Sequence, residues 1–129
     1  MSKSVYILCV VRKATDEDKK MLERHVAILE EAGNEVFYPA RDNPHEGVDE
    51  TGSSISLTNL AALEAADEVH IFWDSESRDS VLELGMCFAL HKPVVLWAMD
   101  VSKEHAKVSP SIETIITDWN WGFRDRREK

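Results

Sequence analysis

Residues Asp67 to Trp97, DEVHIFWDSESRDSVLELGMCFALHKPVVLW, decide the fold. Glu68–Trp73 is a short run of β-branched and aromatic residues, of strand length and composition. A polar loop with Asp74 and Ser77 follows it. Then comes a helical stretch that carries Glu83 and ends near His91, a Lys92-Pro93 turn, and a second strand from Val94 to Ala98. Strand, helix and strand in that order predict a parallel pair joined by a crossover helix. Asp74 and Glu83 then fall at the carboxyl end of a parallel strand, where open α/β sheets hold their ligands.

The preceding chain repeats the pattern. Ser4–Val11, SVYILCVV, is almost continuously apolar and reads as a strand buried on both faces. Arg12–Asp18 is a polar loop. Leu22, His25, Val26 and Leu29 recur at helical spacing, and Gly33 suits the residue just past that helix. Glu35–Tyr38 reads as a second strand. Pro39–Gly52, rich in prolines, glycines and acids, reads as a long loop near the strand ends. A helix from about Ser54 to Ala66 leads back to the quoted stretch. Beyond it, Ser109–Thr117 suits a helix, with Pro110 in its first turn. Trp119, Trp121 and Phe123 call for packing on the body or on another subunit. The alternation predicts a single domain over residues 1–129. Its expected architecture is an α/β three-layer sandwich, flavodoxin- or Rossmann-like, with a parallel sheet of about five strands.

Composition narrows the function. The 129 residues carry a formal net charge of −9, which argues against broad nucleic-acid binding. A single phosphate is still within reach of one arginine and a helix N-terminus. Apolar runs are too short to span a bilayer, and no secretory leader precedes the first strand. Cys9 and Cys87, both in apolar segments, read as buried thiols of a cytosolic protein. The five histidines show no metal-ligand spacing, and no Walker, GxGxxG or GxSxG sequence is present. Neither a metal nor an organic cofactor is expected.

Glu83 is the leading candidate for chemistry, with two readings open. Ser80-x-x-Glu83 matches a capping box, in which the glutamate only returns a hydrogen bond to the helix start. Alternatively, an ionised glutamate in the first turns of a helix can attack an anomeric carbon. Ser77, Asp79 and Ser80 precede or open that helix. They suit N-capping or, with nearby amides, phosphate binding, although Asp79 brings negative charge to such a loop. Tyr6 on the first strand and Arg12 beyond it suit either core and surface roles or the orientation of a carboxylate and the grip of an anion. Asp74 could protonate a leaving group beside Glu83. Asp67 suits a helix-to-strand turn.

Taken in order, Tyr6…Arg12, Asn59-Leu60…Ala66-Asp67, Ser77…Glu83-Leu84-Gly85 and Lys92-Pro93-Val94 resemble the nucleoside 2-deoxyribosyltransferase superfamily. The resemblance spans about residues 4 to 98 and includes the branch that hydrolyses 2′-deoxynucleoside 5′-phosphates. It implies that Glu83 is the nucleophile at the sugar C1′ and that Tyr6 lies against it. It implies a 5′-phosphate site from Cys9, Val10, Val11 and Arg12 with Ser77, and homo-oligomers in which a neighbour completes the site, with Ser109 or Ser111 as candidates for that loan. The family's aspartate that binds or protonates the base is Asn59 here, and Asp79 stands where a glycine is expected. The expected function is cleavage of an N-glycosidic bond in a nucleoside or its 5′-monophosphate, by hydrolysis or base exchange. The alternative is a non-catalytic nucleotide-binding or sensing module on the same fold.

Overall fold

A computed structural model describes residues 2–11, 14–43, 53–73 and 78–99 of the chain. Its elements are β1 (Ser4–Leu8), α1 (Asp16–Glu31), β2 (Glu35–Phe37), α2 (Pro39–Asp42), α3 (Ser53–Ala65), β3 (Glu68–Trp73), α4 (Arg78–Ala89) and β4 (Val94–Met99). Among the described residues the sheet has four strands, all parallel, in the order β2-β1-β3-β4. The chain leaves β1 toward β2 on one side and then crosses to β3 on the other. The gap between the carboxyl ends of β1 and β3 is therefore the topological switch point.

Strand alternation divides the core in two. Tyr6, Leu8, Val69, Ile71 and Trp73 face one way and pack with Leu63 of α3 and Leu84 and Cys87 of α4. Val5, Ile7, Val36 and Phe72 face the other way and pack with Leu22 and Val26 of α1. Both faces of β1 are thus covered, which is why its sequence is apolar throughout rather than alternating. The layers are those of the expected α/β sandwich. No helix among the described residues is long and apolar enough to cross a membrane.

The helix ends follow local chemistry. Thr15 and Asp18 form a reciprocal capping box, with Asp18 N–H to Thr15 Oγ1 at 3.1 Å and Thr15 N–H to Asp18 Oδ2 at 3.0 Å. α1 therefore starts inside the stretch expected to be loop. Its other end is the one expected: Gly33 has φ +94°, and Asn34 N–H reaches back to Leu29 O at 3.1 Å. Three strand and helix ends differ by a few residues. β1 stops at Leu8, so Cys9–Val11 lie beyond the strand, β2 stops at Phe37, and α4 stops at Ala89. Pro39 opens a single helical turn within the expected loop, because its locked φ and missing N–H suit the first helical position.

Polar contacts of three residues, Asp67, Lys92 and Pro93, tie the strands and crossovers together. Asp67 accepts the Ser4 N–H at 2.8 Å, and its own N–H reaches Ser4 O at 2.7 Å, which ties β1 to the start of β3. Lys92 donates to Glu64 O at 2.7 Å and Ala66 O at 2.8 Å, closing the carboxyl end of α3 from the α4–β4 turn. Pro93, beside it, accepts the Val69 N–H at 2.8 Å. The Lys-Pro pair in the sequence is therefore a joint between two crossovers. On the α1 face His25 Nε2 lies 2.9 Å from His70 Nδ1, and His70 Nε2 lies 3.0 Å from Glu68 Oε1. The His25 ring stacks on Trp97 at 4.0 Å. Burial, with the neighbouring His70, lowers the His25 pKa.

Lys92→Met should lower stability by about 1.5–3 kcal/mol, the range for hydrogen bonds from a charged donor. Urea unfolding with an unchanged m-value is the measurement; a change below about 0.5 kcal/mol would show that the joint is unimportant.

Candidate functional site

β1 is the most enclosed strand, and Tyr6 at its centre is fully buried. Its ring stacks on Phe37 of β2, with centroids 5.5 Å apart and planes 9° from parallel. That contact aims the hydroxyl toward α4, where it donates to Glu83 Oε1. Glu83 stands in the second turn of α4, with Leu84 beside it in the core. α4 begins at Arg78, so Ser80 is already inside the helix and Ser80-x-x-Glu83 is not a capping box. The capping reading fails because the same spacing fits one register as a cap and another as an inward-facing side chain. The structure adopts the second.

Burial dominates the electrostatics. Desolvation raises the Glu83 pKa to about 7, against the Tyr6 hydrogen bond, which lowers it, and with Asp79, which raises it further. Tyr6 is raised by its own burial and by the Glu83 charge, so it remains a phenol and a donor. Cys9 and Cys87 are each pushed up to about 12, by burial first and then by Glu83, so both stay neutral thiols. The result is one carboxylate that titrates near neutrality, held by one fixed donor. It is suited to act as a nucleophile when ionised.

The other expected residues fall around this pair in different ways. Cys9 and Val10 are buried just past β1, and Val11 is half-buried beside them, next to the switch point. Asp79 is exposed in the first turn of α4, where the helix dipole favours its charge. Asn59 is buried on α3, one turn before Leu63, which packs in the Tyr6 cluster. Arg12, Asp74 and Ser77 lie outside the described residues, as do Ser109, Ser111 and the Trp119–Phe123 segment. Among the described residues no group of three or more His, Cys, Asp or Glu is placed to hold a metal ion.

Two buried polar groups were missed in the sequence. Asn43, at the end of α2, is buried and donates to Asn59 Oδ1 at 2.8 Å. Nothing in the periodicity points to it, because α2 is a single turn. Trp73 ends β3 at the switch point with 1% exposure, and its indole N–H meets no acceptor among the described residues.

The raised pKa makes two expected outcomes. Between the model-peptide value of 4.5 and about 7 the folded chain holds a proton on Glu83 that the unfolded chain releases. This group's contribution to stability is therefore present at acid pH and lost as pH rises through about 7. Glu83→Gln should be the more stable protein at pH 8, by up to about 3 kcal/mol, and equal to the parent near pH 4. Denaturant unfolding at both pH values tests this; a destabilised Glu83→Gln at pH 8 would contradict it. Tyr6→Phe should raise the Glu83 pKa above about 7, seen as a shift in the titration of its labelled carboxyl carbon by NMR.

The family profile described as nucleoside 2-deoxyribosyltransferase matches residues 6–114. No curated protein sequence matches the chain. Among solved structures, a 2-deoxyribosyltransferase from Bacillus psychrosaccharolyticus superposes with a TM-score of 0.59 at 22% identity, covering 70% of this chain and 69% of its own. The CMP N-glycosidase BcmB of Clostridium botulinum superposes with a TM-score of 0.61 at 19% identity, over 88% and 80% of the two chains. A conserved protein from Enterococcus faecalis V583 superposes with a TM-score of 0.63 at 14% identity, over 89% and 75%. These likenesses show the same α/β fold, and the profile, which takes in β1 through β4, shows more: the chain belongs to the nucleoside 2-deoxyribosyltransferase family of enzymes.

Proposed function

We propose that this enzyme breaks the N-glycosidic bond of a 2′-deoxynucleoside or its 5′-monophosphate through a covalent ester on Glu83. The pairing of fully buried Tyr6 with half-buried Glu83 carries this reading. In the proposed sequence, ionised Glu83 attacks C1′ as the base leaves, with inversion. Water or a second base then attacks the ester, with a second inversion and net retention. Tyr6 holds one carboxylate oxygen and leaves the other for the sugar carbon. Water is the favoured acceptor. Arg12 and Ser77 in the sequence suit a 5′-phosphate better than a free hydroxyl, and the amides of Cys9–Val11 lie at the carboxyl end of β1, where they could join them. The name of the Clostridium botulinum neighbour, a glycosidase of a nucleoside monophosphate, is consistent with hydrolysis.

A homo-oligomer is part of the proposal. Leu57 on α3 and Leu82 and Phe88 on α4 are 65%, 54% and 47% exposed, apolar side chains that a second copy of the chain would cover. A second reading, a nucleotide-binding module without catalysis, draws on Asn59 in place of the family's aspartate.

The test is a panel of nucleosides and 5′-monophosphates, followed by chromatography for free base. Release should occur in the parent and fall by about 1,000-fold or more in Glu83→Ala, as for loss of a nucleophile. kcat should rise with pH through about 7 as Glu83 ionises. Base release that survives Glu83→Ala would sink the nucleophile, and tight binding without release would favour the binding module.

A further inference from the structure

A cavity of about 210 Å³ lies between α1 and the chain that leaves β2. It belongs to the α1 side of the sheet, where Tyr38 packs with Val26, and not to the α3–α4 side that holds Tyr6. Val26 and Ala27 give it an apolar floor, Glu23 and Glu30 stand a turn to either side, and Tyr38 and Arg41 form the facing wall. Tyr38 is 5% exposed, yet its hydroxyl makes no hydrogen bond among the described residues. Unlike the Trp73 indole, that oxygen is reached by solvent, and the cavity is its opening. Burial first, then Cys9 and Glu23, push the Tyr38 pKa up to about 12 against the pull of Arg41, so the group stays a phenol. The charges in the wall do not cancel. Arg41 is already matched, by Asp42 at 2.8 and 3.0 Å, Glu30 at 3.1 Å and the Val36 carbonyl at 2.9 Å. Glu23 has no ion pair among the described residues, so its carboxylate is the unbalanced charge.

We propose that this cavity binds a small organic cation, a primary ammonium on a short apolar chain, with the ammonium between Glu23 and the Tyr38 oxygen and the chain along Val26 and Ala27. An ammonium carries three donors and no acceptor, which suits a carboxylate and a phenol oxygen in the wall with water at the mouth. The apolar floor then covers the methylene groups. Volume limits the ligand: at a water's share of about 30 Å³ per non-hydrogen atom, roughly seven such atoms fill the space. An anion is disfavoured, because Glu23 and Glu30 repel it and Arg41 is neutralised by its own partners. The site is separate from Glu83, and its occupancy does not depend on what chemistry Glu83 performs.

The experiment titrates the intact chain with n-butylammonium near neutral pH, at constant ionic strength, and follows the backbone amides by NMR. The amides of Val26, Ala27 and Arg41 should shift and saturate together. n-Butanol, of the same length without the charge, should bind more weakly by about 5-fold or more, and butyrate should not bind. Glu23 is exposed, so Glu23→Gln leaves the fold intact and should weaken n-butylammonium by about 5-fold. Tyr38→Phe keeps the ring and should cost a similar factor of about 5, the worth of one hydrogen bond. Glu17→Gln, an exposed acid in the first turn of α1, should change nothing. Absence of a saturable shift at these amides would overturn the proposal, as would equal affinity for n-butanol. A loss in Glu17→Gln as large as in Glu23→Gln would reduce the effect to diffuse acidity and overturn it too. Unchanged binding in Tyr38→Phe would remove the hydroxyl from the site and the proposal with it.

Discussion

A carboxylate behind a parallel sheet is costly to ionise, and the Tyr6–Glu83 hydrogen bond is the constraint around which this chain is arranged. Its donor sits at the centre of β1, the strand with a neighbour on either side and helices over both faces. Its acceptor sits on α4, the crossover that leaves β3. Neither can shift alone. Phe37 stacks against the Tyr6 ring, Asp67 ties the start of β1 to β3, and Lys92 closes α3 from the end of α4. These contacts hold the elements that carry the pair, which is the kind of second layer a preorganised site needs.

Much of this was legible in the sequence because it is written in apolar runs. The unbroken SVYILCVV demanded a strand covered twice, and Glu68–Trp73 demanded another, so the parallel order followed. Gly33 marked the end of α1 because that position has positive φ. Glu83 was harder. Its spacing from Ser80 satisfies a local rule, and only the position of Tyr6 on the neighbouring strand decides between a cap and an inward-facing side chain. Asn43 was not legible at all. Its partners Ile55 and Asn59 lie 12 and 16 residues away, and a polar residue after one helical turn carries no period to betray a buried role. His25 was placed on the buried stripe of α1, but periodicity cannot say that the stripe meets another histidine.

The site also shows where local stability has been given up. Glu83 is largely desolvated with its pKa raised, and Trp73 is buried with an indole N–H that lacks an acceptor among the described residues. An unmet buried donor costs on the order of 1–3 kcal/mol. Both lie on the α3–α4 face, and Trp73 ends its strand at the switch point. The opposite face, under α1, pairs its polar groups: buried His70 and half-buried Glu68 and His25 form a continuous chain of contacts. Strain of this kind collects where ligands bind, and a uniform core has no reason to tolerate it.

That chain of contacts has a consequence of its own. His25, its pKa lowered by burial and by His70, adds stability above the unfolded value of 6.5 that is lost as the solution is acidified. Glu83 does the reverse, losing stability as the solution is made more basic through about 7. The two layers of the sandwich thus titrate in opposite senses within overlapping ranges of weak acid. Their slopes partly cancel, so a drop in pH costs the intact chain less than the His25 layer alone would lose. The central sheet stands between two proton equilibria of opposite sign, and the pH dependence they give belongs to the whole sandwich and to neither residue.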